Sequence, residues 1–245
     1  MIDLATDNRL LARFSTELAG APRPRPLLMA CAEDVEAARL AWASRIADEY
    51  RSVAIFSELL RLLSDLEAPF AASCAVHRLI GDELRHTQLT TEVVDWLGGR
   101  DDLEIDLRDL GLPPRRSDET PATRALRIIA REIVVGEEES IHALAAYRDA
   151  TTEPAIREVL QQLLADEVRH AAAGRALLAL FEHGTLAEAT VATRVSLPAV
   201  MAADREDLRA HYVASATGGP GRALGACLEV ADLEAKWQRR ARCFV

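Results

Sequence analysis

The feature of this chain that most restricts its fold is a set of four long segments in which apolar residues recur at alternating steps of three and four. Such steps place the apolar side chains on one face of an α-helix. Aromatic residues make up only 4% of the chain, and its abundance of alanine and leucine favours helices over a β-sandwich or barrel. The segments cover residues 33–65, 69–97, 117–150 and 154–182. We therefore predict an all-α protein built around four long helices.

The connections between these segments predict how the helices are arranged. Short turns at EAPF, residues 67–70, and at TTEP, residues 151–154, are typical of neighbouring antiparallel helices. The connection over residues 98–120 is polar, contains two prolines and is long enough to cross the end of a bundle. The sequence thus predicts a four-helix bundle made of two helical hairpins joined by a crossover.

Three regions are predicted along the chain. Residues 1–32 contain a short amphipathic helix and a proline-rich linker, in which GAPRPRP breaks the helical pattern. Residues 33–183 form the bundle. Residues 184–245 form a C-terminal helical extension, with helical patterns near residues 204–216 and 223–242 and a glycine-rich break between them.

Each of the four apolar faces is interrupted by one glutamate, and two of the faces also carry a histidine. A carboxylate on a buried face is costly unless another charge compensates it. Two divalent cations would balance four carboxylates, and each neutral imidazole would add a nitrogen ligand. The six residues predicted to bind the two metal ions are Glu49, Glu83, His86, Glu137, Glu167 and His170.

The motif Asp-Glu-x-Arg-His occurs twice, at residues 82–86 and 166–170. Its glutamate and histidine are three residues apart and therefore reach the same side of a helix. Oxygen-rich ligation with only two imidazoles suits iron, with manganese as the alternative, better than metals that prefer thiolates. The leading aspartates, Asp82 and Asp166, are predicted to accept a hydrogen bond from a metal-bound imidazole. The spacing leaves open whether each aspartate serves the histidine of its own helix or that of the other hairpin.

The pattern leaves three further points open. Glu58 competes with Glu49 as a ligand, although it lies off the apolar face. Glu138 replaces Glu137 if its helix is rotated by part of a step. Small residues near the predicted ligands either leave a void for O₂ or substrate or allow the helices to pack closely; they are Ser52, Thr90, Ser140 and Gly174.

Charge and cysteine usage exclude several functional classes. The formal net charge is −10 and basic residues form no extended stripe, so nucleic-acid binding is not expected. No apolar run has the length of a membrane span, and the first residues lack the apolar core of a signal peptide. Four scattered cysteines without a Cys-x-x-Cys pair are typical of reduced thiols. We therefore expect a cytoplasmic protein.

The doubled Asp-Glu-x-Arg-His motif resembles the ferritin-like di-iron carboxylate superfamily. EYRSVAIF at residues 49–56 and VVGEEESIHAL at residues 134–144 are similar to the first and third helices of small bacterial ferritin-like proteins of unassigned role. The resemblance covers about residues 33–183. It implies a four-helix bundle with a di-iron centre and leaves the reaction open.

Two functions are compatible with this resemblance. The first is an O₂-activating oxidase or oxygenase that acts on a small organic substrate. It is favoured because the linker and the C-terminal extension exceed what a minimal storage cage needs. The alternative is a ferroxidase, iron-storage or peroxide-scavenging protein similar to bacterioferritin or rubrerythrin. The expected partners are O₂ and a small-molecule substrate. An electron donor and a second copy of the chain, in a homodimer, are also compatible with the sequence.

Overall fold

The computed structural model describes residues 9–20, 23–99, 110, 114–117 and 119–243. Within these ranges the regular structure is helical, and the only β-type pairing is an isolated antiparallel bridge between Thr217 and Glu229. The all-α prediction is therefore confirmed for the described residues. The helices are α1 Arg9–Ala19, α2 Ala32–Asp65, α3 Phe70–Trp96, α4 Pro121–Ile128, α5 Glu137–Ala150, α6 Pro154–Glu182, α7 Val191–Ser215 and α8 Val230–Cys243. A π-helical stretch, Ile129–Gly136, joins α4 to α5 without a break.

Local signals in the sequence explain where two of the long helices begin. The Thr120 hydroxyl accepts a hydrogen bond from the backbone N–H of Thr123 at 3.2 Å, with Pro121 in the first turn of α4. Thr120 therefore caps the N-terminus of α4. The Glu153 side chain accepts from the backbone N–H of Ala155 at the start of α6. A side-chain acceptor followed by proline is a common helix start.

The long helices pack as two hairpins, α2 with α3, and α5 together with the π-helical stretch against α6. The hairpins meet where α2 contacts α4 and where α3 contacts α6. Outside them, α1 contacts α3, α7 lies against the π-helical stretch and α5, and α8 also packs on α5. The predicted connection at residues 98–120 lies largely outside the described residues.

Two apolar clusters fill the bundle. One includes Phe56, Leu59, Leu126, Ile133 and Phe181, and the other includes Trp42, Ile46, Val93, Leu160 and Leu163. Along each long helix the predicted metal ligand lies in sequence between residues of one cluster and residues of the other. The bundle therefore buries its polar residues in a layer between two apolar ends.

The order of the clusters along the chain also fixes helix direction. Helices α2 and α6 run from the second cluster to the first, whereas α3 and the continuous α4–α5 run from the first to the second. Helices α3 and α4–α5 therefore share a direction, which is compatible with the predicted crossover between them.

The outer helices differ from the predicted boundaries. The helix predicted at residues 204–216 begins much earlier, at Val191, and continues past Pro198. Proline normally interrupts a helix because it lacks a backbone N–H. The presence of Pro198 therefore argued against a helix that begins as early as Val191. The last helix begins at Val230 rather than near residue 223, where the chain instead makes the short 3₁₀ turn Arg222–Leu224. Within the described ranges, every helix is too short or too polar to traverse a bilayer.

Candidate metal centre

All six predicted ligands meet in the polar layer between the apolar clusters. His86 and His170 are completely buried, and Glu83, Glu137 and Glu167 are nearly so, whereas 14% of the Glu49 side chain is exposed. The two imidazole rings stack with their centroids 5.6 Å apart. Four helices thus contribute four carboxylates and two imidazoles to one buried site.

The donor atoms of these residues form two overlapping groups. Glu83, Glu137, Glu167 and His170 make one group, and Glu49, Glu83 and His86 make the other, with the atoms of each group within 4.8 Å of one another. Each group has the size and composition that could hold a metal ion. Glu83 belongs to both groups and is therefore the residue that connects them.

The contacts among these atoms fit metal ligation better than hydrogen bonding. His170 Nδ1 lies 3.0 Å from Glu167 Oε2 and 3.1 Å from Glu83 Oε1. Yet these three buried atoms, and Nδ1 of His86, have no partner with hydrogen-bond geometry among the described residues. Ligands about 2.1 Å from one metal ion lie about 3 Å from each other when their bonds are at right angles. The unsatisfied atoms therefore have the mutual spacing of ligands that surround a cation.

Burial and neighbouring charges shift the pKa values of the glutamates and histidines in the site. Burial raises the pKa of Glu49 to about 7. Burial also opposes the charge of Glu83, but contacts with His170 and His86 outweigh it and lower the pKa of Glu83 to about 2. Both imidazoles are disfavoured as cations by burial, yet the surrounding carboxylates raise the pKa of His86 and of His170 above the usual value. The carboxylates thus favour a cation at this position, and a bound metal ion would take the place of protons on the imidazoles.

The aspartates of the two motifs contact the histidines across the hairpins. Asp166 Oδ2 lies 3.1 Å from Nε2 of His86, and Asp82 Oδ2 lies 3.5 Å from Nε2 of His170. The structure therefore answers the question that the spacing left open, since each aspartate faces the histidine of the other hairpin. These positions suit an acceptor that would orient the imidazole and leave Nδ1 for a metal ion.

The arginines of the motifs complete this outer layer. Arg85 ion-pairs with Asp166 and, at 3.2 Å, with Asp82. Arg169 ion-pairs with Asp166 and lies 3.8 Å from Asp82. Burial opposes the charge of Asp166, but His86 and the two arginines outweigh it and hold the pKa of this carboxyl well below its usual range. Both aspartates therefore remain ionised acceptors at neutral pH.

The π-helical stretch determines which of the three consecutive glutamates enters the site. Glu137 follows this stretch directly and belongs to the metal-competent group. Glu138 pairs with Arg175 and Arg205, and Glu139 pairs with Arg205 and Arg209. The sequence analysis missed that all three are buried. The sequence does contain a signal for the burial of Glu138 and Glu139. Arg205 and Arg209 are four residues apart and therefore lie on one face of α7.

Glu58 lies outside the site. Its carboxylate accepts hydrogen bonds from Arg124 at 2.9 and 3.2 Å on the outer side of α2. Glu49, and not Glu58, therefore faces the other donor atoms, in agreement with its position on the apolar face.

Of the small residues near the ligands, Gly174 allows close packing. A Cβ atom at Gly174 would come within 2.7 Å of Ile133 and 3.2 Å of Val134, so this position is filled by the π-helical stretch. Open space is found instead beside Glu49, where a cavity of about 360 Å³ lies between α2, α5 and α7. Its wall includes Ser140, Tyr147 and Tyr212.

Comparison of the chain with protein-family models, curated proteins and solved structures finds no match. The repeated motif and the geometry of the buried side chains are the features that support a metal centre. The metal-ligand roles of the six residues stay predictions that this geometry supports.

Proposed function

We propose that this chain is a ferritin-like di-iron protein, a non-haem oxidoreductase that uses O₂ to oxidise or oxygenate a small organic molecule. The observation that carries the proposal is the buried set of four glutamates and two histidines, divided into two groups that share Glu83. This donor set suits two iron ions, with manganese as the alternative. When bound, the metal pair would supply the electrons that reduce O₂ and the oxidising power that acts on the substrate.

The residues of the chain hold, orient and enclose the centre. The four glutamates would provide the negative charge that keeps two divalent cations in place. Asp166 lies at hydrogen-bond distance from Nε2 of His86, and Asp82 lies 3.5 Å from Nε2 of His170; on these sides the two aspartates would raise the basicity of the imidazoles as ligands. The apolar clusters on both sides of the polar layer exclude water from the ends of the bundle.

The cavity beside Glu49 supports an oxidase or oxygenase over iron storage. A substrate needs a chamber next to the reactive centre, and this one has the size of a small-molecule site. Helix α7, from the predicted C-terminal extension, supplies His211 and Tyr212 to its wall. An oxygenase of this kind also requires an external electron donor. A ferroxidase or peroxide scavenger remains the alternative function for the same ligand set.

The test is an anaerobic titration with Fe²⁺ of the full-length protein and of the double variant Glu83→Ala, His170→Ala. We expect two iron ions per chain for the unchanged protein and loss of both sites in the variant, because Glu83 belongs to both groups. Glu58→Ala is the matched control, since it removes a glutamate of the same helix as Glu49 that lies outside the site. It should retain two iron ions.

Addition of O₂ to the iron-loaded protein then separates the two candidate functions. An oxidase or oxygenase should consume O₂ in proportion to bound iron and stop until a reductant is supplied. A storage protein should continue to take up and oxidise iron far beyond two ions per chain. Absence of iron binding, or binding that the double variant retains, would overturn the proposal.

A further inference from the structure

The cavity beside Glu49 contains an arginine that forms no ion pair with a described residue. Arg45 lines this cavity on α2, one helical turn before Glu49. Its guanidinium carbon lies 4.4 Å from the centre of the Trp42 ring and 4.2 Å from that of Tyr147. Two aromatic faces therefore hold the guanidinium plane in place and leave its N–H edge free for a ligand.

The hydrogen-bond donors of Arg45 are incompletely used. Its Nη1 atom is buried and has no hydrogen-bond partner among the described residues. Within those residues no carboxylate lies at ion-pair distance from the guanidinium. Arg45 is partly buried, and leaving a buried donor atom of a cation without a hydrogen bond is costly; most of the described arginines instead pair with acids. The arrangement is the one expected where a ligand supplies the anion.

We propose that this cavity binds an organic carboxylate, with the carboxylate on Arg45 and the body of the molecule against Tyr147 and Tyr212, next to Glu49. The inference deepens the proposed function, since it names the substrate class of the same site. A guanidinium edge matches a carboxylate with two parallel hydrogen bonds. Positions 45 and 49 are about 6 Å apart along the helix, which places the body of a ligand held by Arg45 beside the centre.

Asp48 is the feature of the cavity that opposes this assignment. It lies on the same wall, and burial, which outweighs the attraction of Arg45 and Arg51, raises the pKa of its carboxyl. Its negative charge would weaken binding of an anion and would favour an amine. A cationic ligand held by Asp48 is therefore the competing outcome that the experiment has to distinguish.

The experiment measures binding of three probes of matched shape by calorimetry: phenylacetate, phenylacetamide and phenethylamine. It uses the full-length protein both loaded with Mn²⁺ and after removal of metal with a chelator. We expect phenylacetate to bind in both states and about tenfold more tightly than the amide. Arg45→Gln should remove this preference, Arg45→Lys should retain part of it, and Asp48→Asn should strengthen phenylacetate binding. Arg148→Gln is the control, because Arg148 lies on α5 outside the cavity and pairs with Asp149.

Four results would overturn the proposal. These are equal binding of the acid and the amide, preference for the amine, phenylacetate binding that Arg45→Gln leaves unchanged, and failure of phenylacetate to bind in either metal state. Carboxylate binding that disappears with the metal and ignores Arg45 would mean that the anion binds the metal ion directly. Because the metal-free protein is measured separately, failure of this inference is distinguishable from failure of the iron titration.

Discussion

At the scale of single residues, each histidine of the site contacts acids on two opposite sides. Nε2 of His86 lies 3.1 Å from Asp166, while its Nδ1 lies 3.4 Å from Glu49. An aspartate on Nε2 fixes the tautomer of a neutral imidazole and leaves the lone pair of Nδ1 for a metal ion. The cross-hairpin aspartates are therefore expected to control metal affinity without binding the metal themselves.

The substitution Asp166→Asn tests this role. It preserves shape and one acceptor atom but removes the charge that supports the imidazole, so we expect metal affinity to fall about 10–100-fold. Competition with a chromophoric chelator measures the change. Asp149→Asn is the control, because Asp149 is an exposed aspartate that pairs with Lys236 and Arg148 far from the ligands. Unchanged affinity in Asp166→Asn would mean that the aspartate serves only the arginines around it.

Glu58 and Arg124 make a testable contribution to stability outside the site. The hydrogen bonds from Arg124 outweigh burial and lower the pKa of Glu58 below its ordinary value of 4.5. A carboxyl whose pKa is lowered on folding stabilises the protein above the unfolded-state pKa, and this contribution is lost as the pH falls through the folded-state pKa. Glu58→Gln should cost about 1 kcal/mol at pH 7, since Arg124 is buried and Glu58 is partly exposed.

The measurement is urea unfolding of Glu58→Gln and the unchanged protein from pH 7 down to pH 3.5. The difference in unfolding free energy should shrink as the pH falls below about 4.5, the ordinary glutamate pKa. Glu17→Gln is the control, because Glu17 pairs with Arg13 on the exposed surface of α1. It should change stability little at any pH. A difference for Glu58→Gln that persists undiminished at the lowest pH would contradict the account.

At the scale of elements, the sequence predicts the long helices well and their irregularities poorly. The apolar period and the glutamates within it predict which faces turn inward, because burying a carboxylate there requires a special partner. The π-helical stretch Ile129–Gly136 has no comparable signal, since its residues contain no proline and continue the apolar period of the helix, while its contacts with α6 are tertiary. For the same reason the sequence could not separate Glu137 from Glu138. That choice depends on helix rotation, which only tertiary contacts determine.

Gly174 on α6 is the point where this packing is tightest. The substitution Gly174→Ala would place its methyl group 2.7 Å from Ile133 and 3.2 Å from Val134, so the π-helical stretch would have to move. We expect a loss of about 1–3 kcal/mol in unfolding free energy from overpacking. Gly81→Ala is the matched control inside α3, where the nearest atom, on Leu18, lies at an ordinary 3.5 Å. Removing a helical glycine there should stabilise the protein by about 0.5–1 kcal/mol.

Chemical denaturation of both variants in the same metal state measures these changes. We expect Gly174→Ala to lower the free energy of unfolding and Gly81→Ala to raise it. Equal effects would show that Gly174 is not held against the π-helical stretch.

At the scale of the whole molecule, helix α7 connects the C-terminal part of the chain to the site. It pairs with α5 through Glu138 and Glu139, and its Tyr212 lines the cavity beside Glu49. The sequence predicted a helical extension but not where it docks. On α7, Arg205 and Arg209 pair with buried carboxylates of residues that are distant in sequence. Apolar periodicity does not predict such ion pairs. The sequence left open whether a void lies near the ligands, but it could not place the cavity, because its walls come from three helices.

The double variant Arg205→Ala, Arg209→Ala tests whether these pairs hold α7 in place. Glu139 is fully buried, and burial opposes its charge, but Arg209 and Arg205 outweigh burial and lower its pKa. Without the arginines a charged or protonated carboxyl would remain buried without its partners. We expect a loss of about 2–4 kcal/mol in unfolding free energy, less than for a completely buried pair because both arginines are partly exposed.

Arg148→Ala is the control for this variant. Arg148 is about as exposed as Arg205, but its partner Asp149 is an exposed acid, so the loss should stay below about 1 kcal/mol. Adding Glu139→Gln to the double variant should recover part of the lost stability, because a buried amide is less costly than a buried carboxylate. Hydrogen exchange of α7 amides should increase in the double variant and fall again after the third change. If the third change recovers nothing, packing rather than charge holds α7 over the cavity.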